Sequence, residues 1–360
     1  MRKLALIRRS FRLDGGAETS TDAYMAALRE LQIPFELICE SWDGSLESDH
    51  VTQIATSGSR LRRAREFRNA VEHLINQYSE VTYQAHDWIP GANLVRLGDG
   101  LHRCWFDLLK RERGLIRQKL LNWSGFHRDR MRAEQLTLEH PRLSAIIVNS
   151  EFIADQVAEH YPNVQSKVCV IRNIVKPAIA EKASRLQAPR NHRQIGFAGS
   201  GWERKGLARV LESLVLMPGI SLLVAGQDKT EPRYRQLASR LGIADRVTWM
   251  GVVDNMTEFY MSIGALVHPA IYDPSPNVAI EAMAFGIPVI TSRATGITDF
   301  QHYEGVFVTS EAPADLSQSV IEALQTQAED RDLLRHLALS FDQKYLTNAL
   351  RSLYGDWATP

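Results

Sequence analysis

No apolar run in this 360-residue chain approaches the roughly 18–20 residues needed to cross a bilayer. The stretch from Met1 to Ile7 is too short for a secretory signal. Cysteine is scarce. Cys39, Cys104 and Cys169 lie far apart without C-x-x-C spacing, which excludes a disulfide scaffold and a zinc ribbon and fits a reducing cytoplasm. Neither sign of charge is in excess, with 42 Lys and Arg against 42 Asp and Glu, whereas a dedicated nucleic-acid binder carries a basic surplus. What the chain does have is 44% hydrophobic and 23% charged residues over a length suited to two cores of about 150–200 residues.

Its organisation is alternation. Short β-rich runs recur at Leu4–Ile7, Phe35–Cys39, Val81–Gln84, Leu94–Leu97, Ala145–Asn149 and Val168–Ile171. They resume at Gln194–Ala198, Ser221–Ala225, Val247–Met250, Ala265–Pro269, Pro288–Thr291 and Val306–Thr309. Helical patterns such as Thr21–Leu31, Phe152–His160, Gly206–Leu216, Pro232–Leu241 and Asn277–Ala284 fill the spaces, so the spacing predicts βαβ crossovers and parallel sheets. The expected fold class is α/β with two Rossmann-like, doubly wound domains facing across a cleft. Residues 1–176 form the first domain, the polar stretch 177–192 with Pro177 and Pro189 is a hinge, and 193–335 form the second. A final helical segment, 336–360, crosses back onto the first domain. Strand C-termini and helix N-termini on both walls suit a phosphate-bearing ligand.

Local charge is less even. Residues 51–150 hold 16 Lys and Arg against 10 Asp and Glu. The excess lies in 59–68 (Arg60, Arg62, Arg63, Arg65, Arg68) and 110–119, both of helical periodicity. A solvated helix face and a surface drawn to anionic lipid or a phosphorylated acceptor both fit that pattern.

Three loops carry candidate chemistry. Gly15-Gly16 follows the first strand without the G-x-G-x-x-G pattern, so a tight strand-to-helix turn is the simpler reading. In the second domain, Gly199-Ser200-Gly201 leads into Trp202-Glu203-Arg204-Lys205-Gly206, which lacks the Gly-Lys-Ser/Thr ending of a Walker loop. Arg204 and Lys205 could neutralise a diphosphate, against the alternative of a solvated helix start. The third loop, His268 to Thr291, is the most informative. Asp273 sits between a strand and a helix that starts near Pro276-Asn277, and Glu281 lies one turn in. A carboxylate there can take both hydroxyls of a ribose while N–H groups around Asn277 and Val278 receive phosphate. An amphipathic helix with a surface Glu is the bland alternative. The chain's D-x-D stretch, Asp330-Arg331-Asp332, falls in a polar helical segment and reads as solvated surface; no metal site is expected. His86-Asp87, Asp99 and His102 are candidates for polar contacts to a sugar, or ordinary loop residues.

The spacing from Asp273 to Glu281 resembles the acidic-x7-Glu signature of glycosyltransferase family 4, the retaining GT-B enzymes. The resemblance extends over nearly the whole chain through Gly15-Gly16, Val148-Asn149-Ser150-Glu151-Phe152, Val170-Ile171-Arg172-Asn173, Leu222 to Gly226 and Arg246 to Gly251. Pro90-Gly91, Gly98 to His102 and Glu139 to Leu143 are similar to the branch that builds lipopolysaccharide core. It implies a metal-independent, cofactor-free retaining transfer from a nucleotide-sugar, most simply UDP-linked, to a glycan or lipid-linked acceptor, in the cytoplasm or peripherally on the membrane's inner face. Lys205, Arg204 and Asp273 would be catalytic. Gly15, Gly16, Ser200, Gly201, Val252, Pro276, Asn277, Val278 and Glu281 would line the donor site, and Asp99 and His102 would meet the acceptor near the Gly15-Gly16 wall. Three segments depart from the family pattern: Ser200 replaces the usual Arg, Asp273 the more common Glu, and Asn173-Ile174-Val175-Lys176 the usual Asn-Gly-Val-Asp. A nucleotide-sugar epimerase or hydrolase and a non-catalytic nucleotide-sugar-binding homologue stay open as alternatives.

Overall fold

The computed structural model of the protein describes residues 3–10, 16–42, 50–112, 124–189 and 191–355. They form two compact units, Met1–Arg172 together with Gln343–Pro360, and Asn173–Asp342.

In the first unit seven strands form one parallel sheet. They are β1 (Lys3–Ile7), β2 (Phe35–Cys39), β3 (Val51–Gln53), β4 (Val81–Ala85), β5 (Leu94–Leu97), β6 (Ala145–Val148) and β7 (Val168–Val170), in the order β3-β2-β1-β4-β5-β6-β7. Leu4 to Ile7 are all buried, as expected of a central parallel strand covered by helices on both faces. The helix Arg60–Gln77 buries Phe67, Val71 and Ile75. β3 does not stand out in the sequence. It is an edge strand with exposed Thr52 and Gln53, and pairing with β2 alone needs no apolar pattern.

The second unit repeats the plan with β8 (Gln194–Ala198), β9 (Ser221–Ala225), β10 (Val247–Gly251), β11 (Ala265–His268), β12 (Val289–Ser292) and β13 (Val306–Thr309), all parallel in the order β10-β9-β8-β11-β12-β13. Strand order reverses between β8 and β11, and a crevice opens at such a switch point where the connections leave to opposite faces. Phe197, Leu222, Val224, Val267 and Ile290 bury against the helices Leu207–Leu214 and Pro313–Ala323.

Two expectations about the connections change. The segment expected as a hinge carries a helix, Pro177–Arg185. Pro177 occupies its first turn, where a missing N–H costs nothing, and Ile179 and Ala183, one turn apart, are buried in the second unit's core. The terminal helical segment is not continuous. Ala328–Ser340 belongs to the second unit and Gln343–Tyr354 to the first, where Gln343 Nε2 donates to Ala23 O (3.1 Å) and Thr347 bonds Glu30. Arg331, read as solvated, is buried instead. Its guanidinium donates to Gly286 O (2.7 Å) and Ala188 O (2.5 Å), while Asp332 accepts from Gln187 (2.9 Å).

Gly206 joins the turn Trp202–Lys205 to the next helix at φ +81°, and a Cβ there would overlap the Pro269 carbonyl. Gly206→Ala is expected to destabilise the second unit by on the order of 2–5 kcal/mol, the sum of left-handed strain and overpacking. A urea titration of the full chain should show the lowered midpoint, and an unchanged midpoint would refute the close approach.

Candidate functional site

The connections leaving β8 and β11, on either side of the switch point, build the site. After β8 the chain turns through Gly199, Ser200 and Gly201, with Gly199 at φ +120° and Gly201 at φ +72°. Trp202 is buried and clamps this turn, its indole Nε1 donating to Gly199 O (2.8 Å) and its backbone N–H to Asp228 Oδ2 (3.0 Å). Burial pushes the Asp228 carboxyl up, but hydrogen bonds from Thr230, Trp202 and Gly201 outweigh it and hold the group ionised below its ordinary range. Ser200 and Gly201 are exposed at the crest of the turn.

Lys205 follows, half-buried, with its side chain folded back over Gly199. A Cβ on Gly199 would lie 2.9 Å from Lys205 Cε and nearer still to Nζ. Burial lowers the Lys205 pKa and Arg204 adds to this, while Asp273 and Glu281 act in the opposite direction. Those influences bring Lys205, Arg204, Asp273 and Glu281 into one electrostatic group.

The loop after β11 carries Asp273. Its backbone is tied to the loop after β12, Asp273 N–H donating to Ala294 O and Gly296 N–H to Asp273 O, both at 3.0 Å. Asp273 Oδ2 faces His268 Nε2 at 3.0 Å and Arg204 Nη1 at 3.5 Å. Burial would raise this carboxyl, yet the His268 hydrogen bond and the Arg204 and Lys205 charges hold it well below the usual carboxylate range. The Arg204 guanidinium also donates to Tyr272 O (2.8 Å), and Arg204 O accepts from Ile271 N–H (2.7 Å), so it braces the loop from the other side of the switch point.

The helix Asn277–Ala284 starts at Pro276. Its hydrogen-bond ladder begins with Ala279 and Ile280, both returning to Pro276 O, which leaves the Asn277 and Val278 N–H groups ahead of the ladder at the positive end of the helix. Asn173 Nδ2 donates to Asn277 Oδ1 (2.9 Å). Glu281 is not a surface residue. It is 4% exposed and accepts from Tyr260 Oη at 2.7 Å, and burial raises its pKa against the influence of Lys176, Tyr260 and Lys205. The result is an ammonium, a helix N-terminus and two carboxylates of opposite pKa behaviour at one switch point. Such a set can neutralise a multiply charged anion and accept hydrogen bonds from hydroxyls.

The remaining expected residues are placed differently. Val252, just past β10, is 70% exposed. In the first unit Gly16 opens the helix Gly16–Glu30, and Gly15 lies outside the described residues. Asp99 is exposed in the turn after β5. His102 packs against Trp105, Phe106 and His127, its Nε2 3.1 Å from His127 Nδ1. Burial, with help from Arg130, His127 and Arg60, pushes its pKa down to about 3. Its backbone N–H donates to buried Glu134 (2.5 Å). His86 Nε2 lies 3.0 Å from Gln84 Nε2, and Asp87 accepts from Arg9 N–H (2.8 Å).

The basic stretch is largely neutralised within the chain. Arg62 pairs with Glu66, Arg63 with Glu40, and Arg65 and Arg68 with Asp129, while Arg60 stacks over Phe126 at 4.4 Å. Most of the second basic stretch, 113–119, lies outside the described residues. Among the described residues no helix is long and apolar enough to cross a membrane. Sequence reasoning passed over His268, Tyr260 and Asp228, which hold the acidic groups and the glycine turn. For His268 and Asp228 the available signal was a polar residue at, or just past, the C-terminal end of an apolar strand.

Two doubly wound parallel sheets of this order are the plan of the GT-B fold. Residues 14–178 match the profile described as Glycosyltransferase Family 4 and residues 179–337 that of Glycosyl transferases group 1, and the chain belongs to this family. It is 27% identical over 153 residues to the lipopolysaccharide core biosynthesis glycosyltransferase LpsE of Rhizobium meliloti, covering 42% of this chain and 44% of that one. With the lipopolysaccharide glucosyltransferase WaaG of Escherichia coli it shares 32% over 110 residues, covering 29% and 28%. The chain thus spans half or less of the length of these curated relatives. The crystal structure of WaaG superposes with a TM-score of 0.77 at 18% identity, covering 98% of this chain and 99% of that one. That of Anabaena HepE in complex with UDP and glucose gives 0.71 at 17%, covering 99% and 100%.

Proposed function

We propose that the protein is a metal-independent retaining glycosyltransferase that moves a sugar from a UDP-sugar to a glycan acceptor, a lipopolysaccharide core or another lipid-linked saccharide. The observation that carries this reading is the convergence of Lys205, Asp273 and buried Glu281 at one switch point. Glu281 takes the ribose hydroxyls, backbone near Val252 the base, and Lys205 with the turn at Ser200-Gly201 and the helix start at Pro276, Asn277 and Val278 the diphosphate. Arg204 adds charge while bracing Asp273, which meets the donor-sugar hydroxyls. The leaving phosphate accepts the acceptor's proton in a front-face transfer, and stabilisation of its developing charge is the main catalytic contribution. The acceptor lies along Gly15, Gly16, Asp99 and His102 of the first unit, at the cytoplasmic face of a membrane. The names of LpsE and WaaG support the acceptor class, and the UDP of HepE the nucleotide.

Thermal denaturation against UDP-, GDP- and ADP-sugars without added metal tests the reading. A donor at 100 times its dissociation constant adds about 2.7 kcal/mol. One UDP-sugar should stabilise selectively and Glu281→Ala should abolish the effect, whereas no response to any nucleotide would remove the donor site.

A further inference from the structure

We propose that His268 is the positioning residue of the donor-sugar subsite. As the neutral Nε2–H tautomer, it fixes one oxygen of Asp273 so that the other is presented to a sugar hydroxyl. The inference deepens the transferase reading and rests on it. His268 ends β11 fully buried, and among the described residues its ring makes one hydrogen bond, between Nε2 and Asp273 Oδ2 at 3.0 Å. An ionised carboxylate only accepts, so the hydrogen of that bond is on Nε2. Nδ1 is buried with no hydrogen-bond partner among the described residues, which an N–H there could not bear as cheaply as a lone pair.

The groups facing the ring are Asp273, Lys205 and Arg204. Two of these are cations, and a second proton on the ring would be repelled by both. The hydrogen-bond geometry and the charge arrangement therefore agree on one tautomer and one charge state. Arg204 Nη1 approaches the same Oδ2 at 3.5 Å, so both contacts fall on one oxygen and leave Oδ1 for a ligand. Asp273 is one methylene shorter than the glutamate more common at this position. Its reach is set by the backbone of residues 273 and 294–296 and by the His268 bond, not by a flexible side chain.

Two sets of measurements test this. In the full-length wild-type protein, long-range 15N–1H correlation should show His268 with a protonated Nε2 and a bare Nδ1, and the Nε2 proton should move markedly in Asp273→Asn. A ring protonated at Nδ1, or on both nitrogens at neutral pH, would overturn the proposal without any His268 variant having to fold. Kinetically, His268→Leu keeps volume but removes the donor, and His268→Gln returns an N–H at the Nε2 position. With UDP-glucose as the probe, His268→Leu should lose about 10–100-fold in kcat/KM while binding UDP alone as the wild type does, and His268→Gln should recover most of the loss. In an Asp273→Asn background the His268→Leu loss should largely disappear. Equal losses for UDP and UDP-glucose, or no recovery in His268→Gln, would mark a packing role and overturn it. If the wild type bound neither UDP nor UDP-glucose, the donor-site reading would fall, and the tautomer measurement would still judge His268 separately.

Discussion

Lys205→Ala is expected to lower turnover by about 10²–10³ while leaving the fold intact, because the ammonium acts on charge that develops only as the diphosphate departs. Its position supports an effect of that size. The side chain lies over Gly199 and interacts electrostatically with both carboxyl groups, where burial limits screening by water. Burial and Arg204 lower the ammonium's pKa and the two acids oppose them, so Lys205 is coupled to the same residues proposed to meet the sugar and the ribose. Loss of the cation also raises the Asp273 and Glu281 pKa values, and the acid limb of the pH–rate profile should move to higher pH in the variant. Single-turnover kinetics on a UDP-sugar from about pH 4 to about pH 9, spanning the interval between ordinary carboxylates and lysine, would measure both effects together. Near-normal turnover would remove Lys205 from the mechanism. Gly199→Ala tests the same contact from below. A methyl group there would displace the lysine and strain a backbone held at φ +120°, so part of the Lys205→Ala loss should appear with Lys205 still present.

Glu281→Ala carries the second large effect, on binding instead of turnover. Two charge-assisted hydrogen bonds to ribose hydroxyls are at stake, each on the order of 1.5–3 kcal/mol, and UDP affinity should fall by at least about 100-fold. Glu281→Gln keeps one acceptor and should fall between the two. Calorimetric titration with UDP separates the cases, and equal affinities for wild type and Glu281→Ala would take the ribose away from this residue. The substitution also takes from the buried Tyr260 hydroxyl its shorter hydrogen bond, to Glu281 Oε2 at 2.7 Å, leaving only the long contact to Val278 O at 3.4 Å, at a cost of about 1–3 kcal/mol in stability. A Tyr260→Phe, Glu281→Ala pair therefore isolates the ligand effect from the folding effect.

The two carboxyl groups act oppositely on stability. Asp273 has a depressed folded pKa, so its contribution is present above its unfolded pKa and lost as pH falls through the folded value. Glu281 has a raised one, and its contribution is complete below the unfolded pKa and lost as pH rises through the folded value. Glu281→Gln should accordingly stabilise the ligand-free protein at pH 8 relative to wild type, measured by urea titration at pH 5 and 8. An unchanged difference between the two pH values would argue that Glu281 is not the group responsible.

Much of this molecule is legible in its residues alone. Apolar runs of four or five, such as Leu4–Ile7 and Leu222–Ala225, must be buried on both faces, and helical spacing between them leaves parallel crossovers as the consistent arrangement. The eight-residue interval from Asp273 to Glu281 across a loop and a helix start was visible too, as was the Arg204-Lys205 pair. Strand β3 was not, because an edge strand with one neighbour needs no apolar alternation. The helix Pro177–Arg185 was hidden by its charges, although Ile179 and Ala183 are spaced to bury one narrow stripe.

What tertiary structure alone decided is which side chains already have partners. Arg62, Arg63, Arg65 and Arg68 read as a free basic face until Glu66, Glu40 and Asp129 are brought against them, two of these from 23 to 64 residues away in sequence. The surface alternative for Glu281 falls only when Tyr260 supplies its hydrogen bond inside the core. Periodicity encodes how a segment meets its own core, so the sequence by itself determined the two sheets and the loops between them. Charge pairing, burial and pKa depend on distances between segments far apart in the chain, and only folding sets those distances.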